Sequence, residues 1–496
     1  MKSGVFHSAA FLMVLVMNGW ICCSCLRAQH PETYLQPQAM KSDLVWLQRK
    51  ILLYHPACRD SVRYDSVNAA FEVAFYEAEK PMQELPFLRL MRQTLRSLRC
   101  GHSTALPSKA FYRYYEKARP RPFFPLQVSS EPGKMRVRFN GSDNPKIKIG
   151  DQITFINQEP AEDLQSELLS ILPSDGYHNS FRHYQLSLNF PSYYLFLRGP
   201  YYYFETSVED TSGKKRSSTL SLRSQTKVIS RAKPGRSTQV LLADGSDRDF
   251  SLMKSRPSVA CLRISRFKGK PGWYRKVFSR IEKNQLKTLI LDLRGNSGGS
   301  LYEANMLLRY LIPDTFSMRF IRRTGTIHFS GHSSLGLHSR LSMLRFRMLP
   351  SQRKGFGPTS RRMGELIETR YHYKPDKNHP FRGKLVVLMD GGTFSSASYV
   401  CARLRKAGRA LLTGEESGGA ASGFNSVIIP TLTLPETRLR VIMPLYYLDQ
   451  EIKDPSFRGL IPDIPLPASN PALRLSGIDP ELEYLARLIG SDNRLK

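Results

Sequence analysis

The stretch that most constrains the fold is Lys384–Ala421, KLVVLMDGGTFSSASYVCARLRKAGRALLTGEESGGAA. Lys384–Met389 is a short apolar run suited to a buried strand, and Asp390-Gly391-Gly392-Thr393 is a tight turn. From Ser395 the pattern becomes helical, with Val400, Leu404 and Ala407 on one face. Gly408 stops that helix, and Arg409–Thr413 reads as the next strand. A strand that turns sharply into a helix holds the first helical residues rigidly and aims their N–H groups at one point. Ser395 is therefore placed to act as a nucleophile beside an oxyanion hole. Serine is also a preferred helix cap, so an ordinary Ser-rich helix start is the plain alternative.

A second stretch has the same grammar. Lys287–Arg294 (KTLILDLR) is an apolar strand followed by Gly295-Asn296-Ser297-Gly298-Gly299 and a helix over Leu301–Leu311. Glycines there let backbone approach a ligand closely and present N–H groups to it.

The two stretches together, LILDLRGNSGG followed by VVLMDGGTFSSAS and GRALLTGEESGG, resemble the C-terminal processing (tail-specific) peptidase family of serine proteases. The resemblance is to its tricorn-core and retinoid-binding-module-like branch, and it extends from about Asp43 to Asp463. It implies a crotonase- or Clp-like spiral β/α catalytic domain, with Ser395 at the nucleophile position. Gly408-Arg409-Ala410 and Gly414-Glu415 fall on the family's GRA and GE positions. The tail-specific members take their base from a lysine after the GE pair, but here Ala420 stands in that place. The departure favours the tricorn-like arrangement, in which a histidine ends a helical cap. Cys100-Gly101-His102-Ser103 occupies that segment, with cysteine where many members carry an acid. The resemblance thus implies His102 as general base. The implied oxyanion donors are the N–H groups of Ser396 and Gly298. The orienting acid would precede the Gly459-Leu460-Ile461-Pro462-Asp463 segment. Asp454 is the nearest candidate, with Glu415 and Glu416 as rivals.

The 496 residues divide into a signal-like segment 1–28, a helical cap 40–115, a PDZ-like β-rich domain 118–225, an α/β peptidase domain 256–470 and a C-terminal helix or tail 471–496. Residues 1–28 combine Lys2, the apolar run Ala9–Val16 and a small residue at Ala28, which reads as a cleaved secretory signal. Cys22, Cys23 and Cys25 leave a lipoprotein start open. Export to a periplasmic, cell-envelope or extracellular site follows, with no transmembrane span after signal removal. In the cap, Ser42 or Asp43 caps a helix carrying Leu44, Leu47, Ile51 and Tyr54, and helices follow over Val67–Glu79 and Pro86–Leu98. Ile149–Asn157 alternates as a strand and Pro160–Leu172 turns helical, resembling the core of a PDZ module, which captures chain ends. Residues 211–255 read as an exposed hairpin or linker, and 315–382 as a lid or surface insertion.

Cys58, Cys100, Cys261 and Cys401 show no metal-ligand spacing and read as buried thiols, a Cys58–Cys100 bridge being the alternative. No cofactor or required metal is expected. The 73 Lys and Arg against 42 Asp and Glu give a formal charge of +31. That favours contact with anionic surfaces or acidic peptides. The basic residues are dispersed and accompany no nucleic-acid motif, which argues against nucleic acid. The expected partner is a peptide or protein substrate. A catalytically inactive peptide- or lipid-binding protein on the same fold is the alternative.

Overall fold

A computed structural model of the protein describes residues 34–59, 61–117, 123–221, 239–245, 247–269, 272–323, 333–334, 366–466 and 478–491. The expected signal 1–28 lies outside the described residues. Among those described, no helix is long and apolar enough to cross a membrane.

The centre is a seven-stranded sheet in the order Gln239–Gly245, Arg248–Met253, Val259–Ile264, Thr288–Asp292, Lys384–Met389, Leu411–Gly414, Ile464–Pro465. From Val259–Ile264 onward its neighbours are parallel. The apolar runs are continuous because both faces are covered. Leu289, Leu291, Leu385 and Val387 point into a core beneath the helices Gly272–Lys283, Leu301–Leu311 and Ser396–Lys406. Ile290, Val386 and Leu388 point the other way, onto Leu482, Leu485 and Ile489 of the C-terminal helix Pro480–Ser491. The fold is α/β, with a separate β-rich domain. In that domain Leu126–Glu131, Lys134–Asn140, Gln152–Ile156, Tyr203–Glu209 and Lys215–Ser221 form the main path of one sheet. It also contains a 19-residue helix, Ser180–Arg198, kinked at Asn189 just before Pro191. The aromatics of Tyr193–Tyr203 therefore straddle a helix end and a strand start, and Tyr194 packs on Phe124, Phe190 and Phe204.

Several expected boundaries move. The first helix is Pro37–Tyr54, starting at a proline in the N1/N2 position, not at Ser42 or Asp43. The Asp43 carboxylate instead accepts hydrogen bonds from Glu436 N, Thr437 N and Thr437 Oγ1 at 3.0, 2.7 and 2.6 Å. The cap is completed from the far end of the chain. Thr104–Leu106 pairs with Arg440–Ile442, and Leu432, Leu439 and Val441 share the core of the first three helices. Within the stretch 211–255, expected as an exposed hairpin or linker, Gln239–Gly245 and Arg248–Met253 form an antiparallel hairpin, and it supplies the edge of the central sheet. The ends of the expected 315–382 insertion are strands: Phe316–Arg323 pairs along its length with Leu366–Tyr373 and also with Tyr446–Asp449. Cys58, Cys100, Cys261 and Cys401 are free and buried.

Candidate active site

The two strand-to-helix turns lie side by side. Asp390 Oδ1 accepts from Gly392 N at 2.9 Å and from Gly295 N at 2.8 Å. Thr393 Oγ1 donates to Leu293 O at 2.9 Å, and Phe394 N donates to Asn296 O at 3.0 Å. These bonds hold Ser395 at φ 57°, ψ −122°, a conformation most side chains avoid. Holding it there costs on the order of 1–3 kcal/mol, offset by the surrounding network. Ser395 occupies the N-cap position of Ser396–Lys406, yet its side chain makes no capping bond. Its Oγ lies 3.1 Å from His102 Nε2.

His102 reaches that point because the strand Thr104–Leu106, two residues on, is stitched to Arg440–Ile442. Its ring lies between Phe394, with centroids 4.6 Å apart, and Phe424, at 5.8 Å. Phe394 in turn stacks on Phe181 at 3.9 Å. Gly101 is required for the approach, since a Cβ there would come within 2.7 Å of the Phe394 ring. Burial lowers the His102 pKa to about 3, so the ring is neutral near neutral pH.

Two expected site residues are placed differently. Asp454 does not meet His102. Its Oδ1 accepts from Ser456 N and Oγ at 3.0 and 2.5 Å, and its Oδ2 from Arg458 N at 2.9 Å. Partial burial opposes its charge, but those bonds hold its carboxyl below the usual range. It is the acceptor that closes a surface turn. Gly298 abuts the Ser395 turn, where a Cβ would come within 2.7 Å of Ser395 Cβ and 3.0 Å of Ser396 N. Its N–H, however, donates to Asn296 Oδ1 at 2.9 Å and is already engaged. Its positive φ of 99° and bare Cα serve the close approach. Ser396 is the first residue of the helix Ser396–Lys406, so its N–H belongs to a first helical turn, which lacks intrahelical acceptors.

Glu416 is also occupied elsewhere, accepting from Arg458, Gly459 N and Ser180 Oγ. Ala420 is buried, and its carbonyl accepts from Gln450 Nε2 at 2.7 Å.

The carboxyl group beside the histidine is Asp175. Its Oδ1 accepts from Gly101 N at 2.7 Å. Asp175 is 1% exposed, and burial raises its pKa to about 7. Its Oδ2 and His102 Nδ1 are both buried without hydrogen-bond partners. Ligand atoms of Asp175, His102 and Cys100 all lie within 4.8 Å of one another. Burial likewise raises the Cys100 thiol to about 12, with Asp175 adding to the shift. Sequence reasoning missed Asp175 because Ser174-Asp175-Gly176 looks like any polar turn. Asp390 carried a better local signal, as the acid opening the turn before Ser395.

Residues 258–466 match the model of peptidase family S41. That segment of the chain belongs to the S41 family. The S41 segment thus contains Ser395 and the Gly-rich loop, whereas His102 comes from outside it. No curated protein sequence matches the chain. Among solved structures, mature CPAF is 15% identical at a TM-score of 0.61, covering 93% of this chain and 99% of its own. A point mutant of CPAF is 13% identical at a TM-score of 0.63, covering 92% and 98%. At that identity the likeness is one of fold. It extends beyond the S41 segment to most of the chain.

Proposed function

We propose that this S41 peptidase is an exported serine endopeptidase. In this reading Ser395 attacks the scissile carbonyl and His102 takes its proton. The observation that carries it is the 3.1 Å contact between His102 Nε2 and Ser395 Oγ, within reach for direct proton transfer. The neutral histidine leaves a lone pair to accept the serine proton, and the protonated ring then passes that proton to the leaving amine. Ser396 N–H, at the head of its helix, faces the charge that develops on the carbonyl oxygen. Asp175, not Asp454, is the carboxyl group that stabilises the imidazolium.

A fluorophosphonate probe tests this. Wild type should label at Ser395. Ser395→Ala and His102→Ala should each lose at least about 1,000-fold in labelling rate, since members of such a unit fail together. Labelling of Ser395→Ala at the wild-type rate would move the nucleophile elsewhere. Complete inertness of folded wild type would favour an inactive peptide- or lipid-binding protein on this fold, a reading to which the partnerless His102 Nδ1 gives some weight.

Export rests on residues 1–28. Mass spectrometry of protein from its native cell should find Gln29 at the N-terminus. An intact Met1, or lipid on Cys22, Cys23 or Cys25, would contradict cleavage there.

A further inference from the structure

Cys100 and Asp175 are buried at 2% and 1% exposure behind the histidine. A ring nitrogen of His102, the Cys100 sulfur and an Asp175 oxygen all lie within 4.8 Å of one another. The atoms a hydrogen-bond network would be expected to pair, His102 Nδ1 and Asp175 Oδ2, are both left without partners. Buried polar atoms are rarely left so. Around them Phe394 and Phe424 supply apolar walls on the ring. We propose that Cys100, His102 and Asp175 bind a zinc-class divalent cation, and that its binding switches off the His102–Ser395 pair.

The donor set selects the metal. Sulfur, nitrogen and a single carboxylate suit zinc, whereas calcium and magnesium take oxygen ligands. Zinc bond lengths of about 2.0–2.3 Å put tetrahedral ligands roughly 3.3–3.8 Å apart. Side-chain rotation closes the remaining gap. A thiolate and a carboxylate together neutralise the cation, so no net charge is buried. The fourth position stays open to water. On binding, Zn–S, Zn–N and Zn–O bonds form, the thiol proton leaves to solvent, and nothing is oxidised or reduced.

The consequence for the base follows from counting lone pairs. A neutral imidazole has one free nitrogen lone pair and one N–H. Metal on Nδ1 takes the lone pair and leaves the hydrogen on Nε2, facing Ser395 Oγ as a donor. The ring then has no acceptor for the serine proton. Metal on Nε2 would displace the serine contact itself. This switch rests on His102 as the base, but the metal site does not.

The test uses the full chain carrying Ser395→Ala, titrated with Zn²⁺ against a chromophoric chelator. One equivalent should bind. Cys100→Ser and Asp175→Asn, each added to that background, should weaken binding at least about 10-fold. Co²⁺ in place of Zn²⁺ should show a thiolate charge-transfer band that Cys100→Ser abolishes. In the wild type, fluorophosphonate labelling should stop on adding Zn²⁺ and return with chelator. Cys100→Ser should go on labelling at the same Zn²⁺ concentration. Absence of binding, or binding untouched by both substitutions, overturns the site. Binding that leaves labelling intact overturns the switch. A wild type that never labels removes the hydrolytic reading, while the titration still decides the site.

Discussion

Ser395 and His102 are 293 positions apart in sequence and in hydrogen-bond contact in space. Serine at a helix start is ambiguous as a sequence, because capping and nucleophilic roles select the same residue. A capping serine spends its side-chain oxygen on the helix, and Ser395 makes no such bond. The acid is where local reading misled. Asp454 lies close before the Gly459–Asp463 segment, but its oxygens are committed to Ser456 and Arg458. In the labelling assay Asp454→Asn should therefore stay near wild type, while Asp175→Asn should lose at least about 10-fold, since an isosteric amide beside a catalytic histidine is costly. The reverse result would restore Asp454. His55 offers a test through pH. It is fully buried, its Nδ1 accepting from Ala57 N at 3.0 Å and its Nε2 2.9 Å from Ser103 Oγ. Burial first, then Arg59 and Arg63, lower its pKa from 6.5 to about 3. Between those values the unfolded chain binds a proton that the native chain does not, so this contribution to stability is lost as pH falls from about 6.5 towards 3. Urea melts at pH 7 and pH 4.5 should show His55→Gln losing less stability on acidification than wild type. An equal loss in both would reject the assignment.

At the scale of elements, the β-rich domain is more than a clip-on module. A Cβ on Gly391 would meet Ser180 O at 2.5 Å, and one on Gly392 would meet the Tyr184 ring at 2.4 Å. Tyr184 also donates to Gly295 O at 3.2 Å. Helix Ser180–Arg198 thus braces both strand-to-helix turns, and Asp175 enters from the loop before it. Deleting residues 123–221 should abolish hydrolysis of a small activated ester together with that of peptides. Retained ester hydrolysis with peptide hydrolysis lost would show that the domain only captures substrate.

Across the whole molecule, Arg294 is the buried junction. It donates to Asp292 and Asp479 and contacts Glu481, tying the end of one central strand to the C-terminal helix. Asp292 is fully buried, which opposes its charge, yet Arg294 and Arg263 hold its carboxyl well below the usual range. Removing one member of such a cluster strands the others' charge. Arg294→Met should cost about 3–5 kcal/mol in chemical denaturation. A loss within about 0.5 kcal/mol would mean that the acids find other partners. Because Gly295 follows directly, the same change should also slow labelling.

The sequence by itself determined the parts whose causes are local. Apolar runs ending in Asp-Gly-Gly or Gly-Asn-Ser placed Lys384–Met389 and Leu301–Leu311 to the residue, and the motif order led to Ser395, to His102 and to the missing lysine at Ala420. What depended on distant partners was decided only by the tertiary structure. Asp43 looks like a helix cap until Thr437 arrives to be bound, and residues 239–253 read as an exposed hairpin or linker until Val259–Ile264 offers the hairpin an edge. Gly298 looks like an oxyanion donor until Asn296 takes its N–H. Asp175 has no local pattern at all. Its proximity to His102 arises because its carboxylate receives Gly101 N, a contact 74 residues long that no periodicity encodes.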